Sequence, residues 1–276
     1  MNNHNTVVRS LQVLTHILLL FGVYYTFSTS AWGWLLCSLF VYWTIGVLGI
    51  NIGFHRLISH RSFETYKPIE YFLALVGIIT TIGSPLAWSA LHRQHHGHTE
   101  TEKDPHSPYQ LGWFRAWFGL WDVKHINLRL AKDLRKESFY KYTHKYYLHI
   151  IVVYNIILAL INPLLIVFVY AIPAVLVLHS SSAIIVIAHM HGYKTHDLGH
   201  EEARNSWIAS LITLGEGWHN NHHHYPGSAR QGFYWWEVDL TYYVLRIMSM
   251  LGLIWDIRVV SANIRESNHI TQKPKK

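Results

Sequence analysis

Gly53-Phe54-His55-Arg56-Leu57-Ile58-Ser59-His60-Arg61 is the stretch on which the reading of this chain turns, because a long apolar run ends in it and a series of histidines begins. Upstream, from Ser10 to His55, there is no Asp, Glu, Lys or Arg, and a second charge-free run extends from Tyr146 to Tyr193. Each run has room for two helices of about 20 residues, the length that crosses a hydrocarbon core. Turn residues mark Ser28-Thr29-Ser30-Ala31-Trp32-Gly33 in the first, and a looser break between Pro163 and Pro173 divides the second. The pattern predicts two membrane hairpins, residues 11–29 with 33–54 and 148–168 with 172–190.

Composition supports a membrane chain: of 276 residues 50% are hydrophobic and only 14% charged, against about a quarter charged in ordinary soluble domains. All 23 Lys and Arg fall outside the hairpins, and both hairpin turns carry none. By the positive-inside rule the charged side, with both termini, is cytoplasmic, in a bacterial inner membrane or endoplasmic reticulum. The net charge of +7 follows from that topology; the basic residues are scattered without a repeated motif, so no nucleic-acid partner is expected. The single cysteine, Cys37, lies in an apolar run, which excludes a disulfide framework and a thiolate metal site. No cleavable signal pattern precedes the first hairpin.

Tyr71 to His92 is also uncharged and long enough to cross. A crossing would separate the many basic side chains after His92 from residues 56–70. A buried or re-entrant cytoplasmic segment, broken near Gly83-Ser84-Pro85, is expected instead. The fold class is therefore an all-α integral membrane protein, one domain over residues 1–276. Four transmembrane helices in two hairpins (about 11–54 and 148–190) carry a helical cytoplasmic cap (about 55–147 and 191–260) that holds a His-ligated di-metal site. The polar tail 261–276 is expected to be disordered.

The 22 histidines cluster at predicted cytoplasmic helix ends. His55 and His60 are five apart, about 140° round an ideal helix, so they do not share a face there. His92, His95 and His96 are spaced i, i+3, i+4, which puts three rings on one helix face, and Gly215-Glu216-Gly217-Trp218-His219-Asn220-Asn221-His222-His223-His224 repeats that spacing. His189 ends the last membrane helix. Neutral imidazole suits iron, copper and zinc. The nine residues His55, His60, His92, His95, His96, His189, His219, His222 and His223 exceed what one ion needs, and two redox metals with four or five nitrogens each account for them. A structural zinc site would need four ligands.

The order His55-x-x-x-x-His60, His92-x-x-His95-His96, His219-x-x-His222-His223 resembles the membrane-bound fatty acyl desaturases. The flanking words Gly53-Phe54-His55-Arg56-Leu57, His92-Arg93-Gln94-His95-His96-Gly97-His98-Thr99-Glu100-Thr101-Glu102-Lys103-Asp104-Pro105-His106 and Gly215-Glu216-Gly217-Trp218-His219 narrow the likeness to the acyl-CoA Δ9 branch. The resemblance implies two Fe ions at the cytoplasmic face, using O2 and two electrons to place a cis double bond, Δ9 by this likeness, in a saturated acyl-CoA. The residues leave open whether the acyl carrier is coenzyme A, acyl carrier protein or a lipid. His189 matches a further family histidine. The family's water-holding Asn, four residues earlier, is here Ile185, so that amide does not carry over. No cytochrome-b5-like word occurs, so a separate donor such as cytochrome b5 or ferredoxin is implied.

No catalytic residue is expected beyond the metal ligands. Glu100, Asp104 and Glu216 sit within the box words and are candidates to accept the outer imidazole N–H. His98, His106, His191 and His224 are assigned to support or polar surface. An apolar tunnel for the acyl chain is placed along Leu39 and Trp43, three to four turns before His55, and along Trp113, Phe114, Trp117, Phe118 and Trp121. Arg93, Arg115, Lys124 or Lys194 would meet an acidic headgroup at its mouth, and membrane lipid would surround the helices. The same centre could instead serve a hydroxylase, acetylenase or terminal desaturase. From another class, a haem or metal-binding electron-transfer or transport protein would place ligands at membrane depth, where only His16, His149 and His179 lie. A carboxylate di-iron bundle would need more Glu-x-x-His pairs than Glu216-x-x-His219 and Glu266-x-x-His269.

Overall fold

The computed structural model describes residues 2–118 and 126–270, and that part is mostly helical. α1 (Asn2–Thr29) ends at Ser30, whose φ of 55° turns the chain into α2 (Trp32–Ile45). This is the turn marked in the sequence. α2 continues as wider π turns over Gly46–Ser59. Then come α3 (Lys67–Ile78), α4 (Pro85–His98), α5 (Pro108–Leu111) and α6 (Trp113–Trp117). Further on, α7 (Ser138–Lys145) and α8 (Tyr147–Ile161) lead through π turns at Ile166–Ala171 into α9 (Ile172–Met190). α10 (Trp207–Thr213), α11 (His219–His224), α12 (Leu240–Met250) and α13 (Ala262–Glu266) follow. β1 (Glu64–Thr65) pairs antiparallel with β2 (Ile254–Trp255).

Three helical stretches are long and apolar enough to cross a membrane: Thr6–Thr29, Trp32–Ser59 and Ile166–Met190. α7 and α8, bent by 73° at their junction, make a fourth if they count as one span. These lengths fit a membrane protein. The described chain divides into two compact units, residues 2–54, 71–91 and 126–179 in one and 55–70, 92–118 and 180–270 in the other. Residues 71–91 and 126–147, assigned to the cap from sequence, group here with residues 2–54 and 148–179.

In the first unit the π turns before α9 supply Val167 and Phe168 to a core with Leu18, Leu19, Trp34 and Leu35. Trp34 stacks on Phe168 with centroids 5.3 Å apart, and Ser38 Oγ donates to the Phe168 carbonyl at 2.7 Å. The break in the second apolar run lies at 162–165, and Pro173 sits inside α9. This differs from the break expected between the two prolines. The ring falls where π winding gives way to α winding, so the hydrogen-bond ladder already changes register at its missing N–H.

Tyr71–His92 is broken as expected. α3 stops at Ile78, Thr81 and Gly83 take positive φ values of 62° and 124°, and Pro85 opens α4 in the first turn, where its missing donor costs nothing. Ser84 Oγ accepts the Ala87 N–H at 3.3 Å. Residues 261–270, expected to be disordered, are instead ordered: α13 forms, Ile270 N donates to Thr195 O at 3.0 Å, and Asp197 N donates to Asn268 O at 2.9 Å. These backbone bonds are long-range and leave no local periodicity to read.

Gly49, on the π turns, meets Gly77 of α3 so closely that an added Cβ would lie 2.7 Å from the Gly77 nitrogen. Backbone does not yield as a side chain does. Gly49→Ala is expected to destabilise the protein by about 1–3 kcal/mol, a fall in melting temperature of roughly 2–12 °C, measured by intrinsic fluorescence in detergent. An unchanged melting temperature would show that the helices separate without cost.

Candidate metal centre

π winding resolves the awkward spacing of the first histidine pair. His60 N donates to His55 O at 3.1 Å, an i to i+5 bond that brings residue 60 back over residue 55. The two rings are 4.9 Å apart. The end of this helix is closed by Arg93, whose Nε and Nη2 donate to the Ser59 and Ile58 carbonyls at 3.1 and 2.9 Å. Carbonyls at a helix end take donors from outside the helix, and Arg93, assigned from sequence to the tunnel mouth, is such a donor here.

α11 has six residues, too short to persist by propensity. Its two asparagines brace it. Asn220 Oδ1 accepts the N–H groups of Thr195 and His196 at 2.8 Å each, and its Nδ2 donates to the His196 and Ala203 carbonyls at 3.0 Å. Asn221 Nδ2 donates to Glu237 Oε2 at 2.7 Å and to Gln231 O at 3.0 Å. His219, His222 and His223 are thereby fixed in direction.

Among the described residues, the donor atoms of His55, His60, His92, His96 and His222 lie within 4.8 Å of one another, and so do those of His95, His189, His219 and His223. All nine residues singled out from sequence are in these two groups. The i, i+3, i+4 triplets do not stay together. His92 and His96 join the first group and His95 the second; His219 and His223 join the second and His222 the first. Side chains three apart on a helix diverge enough to face different centres, while i, i+4 pairs stack. The His96 and His223 rings, from different groups, stack at 4.4 Å, so the groups adjoin.

Four rings are oriented by carboxylates on their outer nitrogen. His55 Nδ1 bonds to Glu216 Oε2. His95 Nδ1 bonds to Asp104 Oδ2 at 3.0 Å, His189 Nδ1 to Glu100 Oε1 at 2.9 Å, and His223 Nδ1 to Glu201 Oε2 at 2.8 Å. Glu100, Asp104 and Glu216 are the three acids expected to do this; Glu201 is a fourth. Its position carries no signal in the sequence, because the contact spans 22 residues and a loop. Glu216 is itself held by Arg56, whose Nη2 donates to Oε1 at 2.7 Å, and by Gln231 Nε2 at 2.9 Å. Arg56 is fully buried and also grips Asp239 at 3.0 and 3.1 Å and the Ala229 carbonyl at 2.7 Å. Burial pushes the Glu216 carboxyl up, but the Arg56 charge and the His55 contact outweigh it and hold the group down to about 2. Burial likewise works against ionised Asp104, and its bonds to His95 overcome it, keeping this carboxyl below its usual range.

A ring that donates Nδ1–H to a carboxylate has only a lone pair at Nε2 when neutral. His189 and His223 are two such rings, and their Nε2 atoms stand 3.0 and 3.1 Å from His219 Nε2, which has at most one proton to offer. His95 Nε2 is buried with no hydrogen-bond partner. In the other group, Nε2 of His60 and His92 are 2.7 Å apart, His92 and His96 3.1 Å, His96 and His222 2.9 Å, and His55 and His222 3.1 Å. Burial, followed by neighbouring imidazole charge, pushes His60, His92, His96, His219, His222 and His223 well below the ordinary histidine value, so they are neutral donors at pH 7. Two nitrogens about 2.0–2.1 Å from one ion and at right angles are about 3 Å apart. The residues fit a bound cation in each group. A further set, His95, Asp104 and His106, is the outer side of the His95 ring and not a separate centre, since Asp104 already holds its Nδ1.

The remaining residues singled out from sequence are dispersed. Leu39, Trp43, Trp113, Phe114 and Phe118 are exposed, whereas Trp117 packs on Ala116, Ile185 and Val186. Ile185 thus joins an apolar cluster one helical turn before His189. Lys194 pairs with Glu202 Oε1 at 2.9 Å, and Trp121 and Lys124 lie outside the described residues. His98 and His191 are exposed, and His224 stacks on His196 at 3.9 Å. His16 and His179 bond to each other at 3.1 Å.

Apolar helices of membrane-crossing length fit a membrane protein, and the paired polyhistidine groups are consistent with a metal site. A family model described as fatty acid desaturase matches residues 29–253. Acyl-CoA 5-desaturase AL21 of Anemone leveillei is 37% identical over 89% of this chain and 79% of its own length. The sn-1 stearoyl-lipid 9-desaturase of Anabaena variabilis is 35% identical over 86% of this chain and 89% of its own. The sn-2 palmitoyl-lipid 9-desaturase of Nostoc sp. (strain 36) is 37% identical over 88% and 86%. The chain belongs to the fatty acid desaturase family and is an oxidoreductase acting on acyl chains.

Outer carboxylates that fix a ligand's tautomer are worth about 10–100-fold in metal affinity. Glu201→Gln and Asp104→Asn are therefore expected to release metal at correspondingly lower chelator concentration, read by metal analysis of the purified protein with helical content checked by circular dichroism. Unchanged retention in both variants would remove these acids from the site.

Proposed function

We propose that this protein is an O2-dependent desaturase that introduces a cis double bond at Δ9 into a saturated acyl-CoA. In this reading His55, His60, His92, His96 and His222 hold one iron ion, and His95, His189, His219 and His223 the other. The observation that carries it is the pair of adjoining imidazole groups, five and four, whose Nε2 lone pairs converge without protons enough to satisfy them. Two irons, when bound, would supply O2 activation and the oxidising power to break an unactivated methylene C–H bond. The balance is fixed by the chemistry: two hydrogens leave the acyl chain, two electrons and two protons come from outside, and O2 leaves as two waters.

The chain's own residues hold and orient. Glu100, Asp104, Glu201 and Glu216 keep four imidazoles in the Nδ1–H tautomer, and Arg56 keeps Glu216 ionised. Trp117 and Ile185, packed one turn from His189, exclude water on that side and offer an apolar wall for the acyl chain, which Trp113 would extend; Leu39 and Trp43 are read separately as acyl-chain contacts three to four turns before His55. A separate one-electron donor, such as cytochrome b5 or ferredoxin, would dock on the basic face, as charge steering favours. In this reading the chain crosses the membrane four times, with both termini and the histidines on the cytoplasmic side.

A second reading keeps the reaction and changes the carrier. Relatives named as stearoyl-lipid and palmitoyl-lipid 9-desaturases match as closely as the acyl-CoA 5-desaturase, which favours a membrane lipid as the acyl carrier equally well. Hydroxylation, acetylenic bond formation and terminal desaturation are distinguished by product.

Expression in a host lacking unsaturated fatty acids is expected to restore growth and yield a double bond that mass spectrometry localises at Δ9. His222→Ala is expected to lower bound iron from two ions per chain to one and to abolish the product. A hydroxylated product, or full iron with no ligand dependence, would overturn the assignment.

Trp43→Ala and Trp117→Ala are expected to shift the chain-length profile of the products toward longer acyl chains. An unchanged profile in both would place the wall of the acyl path elsewhere.

A further inference from the structure

α10 and α12 present outward faces that are exposed among the described residues. On α10 these are Trp207, Ile208, Leu211 and Ile212, and the helix has no charged residue. On α12 they are Tyr243, Ile247 and Met250, at helical spacing, with Arg246 the one charge. Leu211 and Met250 are 75% and 73% exposed, as open as Leu20 at 68% on the candidate span Thr6–Thr29. The inward face of α12 is apolar too, through Leu245 and Met248, while α10 turns in Ala209 with Ser210 and Thr213. A helix that is apolar on both sides meets protein on one and something else apolar on the other.

The two faces are continuous. Thr241 N and Oγ1, at the start of α12, both donate to the carbonyl of Leu214, just past the end of α10, at 2.9 Å. Ser210 Oγ reaches the Val238 carbonyl at 3.4 Å. Exposed Trp235 and Trp236 lie on the approach to α12. Trp and Tyr concentrate where hydrocarbon meets water.

The chain also fixes where this patch sits relative to a span. Arg204 N donates to the Ala188 carbonyl, in the last turn of α9, at 2.7 Å, and Tyr193 and Asn205 exchange backbone bonds of 3.0 and 2.7 Å. Ser206 then caps α10. α10 therefore begins beside the exit of the candidate span Ile166–Met190, whose 25 residues would extend about 37 Å at 1.5 Å each and so outreach a hydrocarbon core of about 30 Å. At seven and 11 residues, α10 and α12 are too short to cross.

We propose that these outward faces form a membrane-surface patch that lies in the headgroup and acyl boundary of the bilayer, beside the exit of α9. The occupant is lipid. Position at a span exit guarantees a bilayer there, and a face almost without charge lacks the features that steer a soluble redox partner. Trp207 on this patch touches buried Trp218, with centroids 4.8 Å apart, and Trp218 precedes His219. One indole thus separates the bilayer-facing surface from the histidine groups. The proposal rests on the reading of Ile166–Met190 as a span.

The test uses the full chain with Cys37→Ser, carrying a single cysteine-linked fluorophore at Leu211, Met250 or, as the span reference, Leu20, reconstituted into phosphatidylcholine and phosphatidylglycerol vesicles. Probes at Leu211 and Met250 are expected to be quenched roughly twofold or more by a lipid spin-labelled near the headgroup and shielded from aqueous iodide, as an interfacial helix requires. The Leu20 probe should respond to a deep spin label. Iodide quenching at Leu211 and Met250 with normal Leu20 quenching overturns the patch and leaves the spans standing. Protection that grows with the protein-to-lipid ratio assigns the face to a second copy and also overturns it. Loss of deep quenching at Leu20 overturns the membrane reading and the patch with it.

Discussion

Imidazole lone pairs turned toward one another at about 3 Å repel, and most of what surrounds them in this protein exists to make that arrangement tolerable. Burial keeps the rings neutral, because a protonated imidazole is penalised away from water. Four carboxylates occupy the outer nitrogens and so commit the inner ones to the centre. Two of those carboxylates, Asp104 and Glu216, are in turn buried, and an ionised carboxylate needs partners of its own. Glu216 has Arg56, and Arg56 is shared with Asp239, whose Oδ1 also caps α12 by accepting the Tyr242 N–H at 2.9 Å. The demands of nine nitrogens thus spread outward through Arg56 to the start of α12.

The division into two groups follows from helix geometry more than from the order of the boxes. Adjacent residues on a helix point about 100° apart, so each His-His pair is split, with His95 and His223 facing one centre and His96 and His222 the other. α4 and α11 each serve both. Loss of either element would damage both groups at once, which explains why α11, only six residues long, is braced on three sides by Asn220, Asn221 and Asn205. Asn205 Nδ2 donates to Asn221 Oδ1 at 2.8 Å.

Much of this was legible in the residues. Charge-free runs mark the apolar helices because charge is costly in hydrocarbon, and Gly83-Ser84-Pro85 marks the break between α3 and α4 because its backbone chemistry is local. The nine histidines were identifiable from clustering at helix ends, and three outer carboxylates from lying in the same words. What could not be read depends on distant chain. Glu201 reaches His223 only after a loop folds back, and Arg93 looks like a substrate cation until the open end of the preceding helix is seen beside it. Pro163 and Pro173 both look like breakers, but only the first lies at a break, since winding around the second has already changed. The order in residues 261–270 comes from pairing with 195–197.

The π turns at Gly46–Ser59 make the helix intolerant of one kind of change. Substitution there alters a side chain, whereas deletion of a single residue would convert one turn to ordinary α winding and rotate everything beyond it. With a deletion before His55, His55, Arg56 and His60 would swing together away from Glu216 and Asp239, although every one of those residues would still be present. The segment stores its information in its length, and a family sequence with the same histidines but one residue fewer between Gly46 and His60 would need a different first box geometry to build this site.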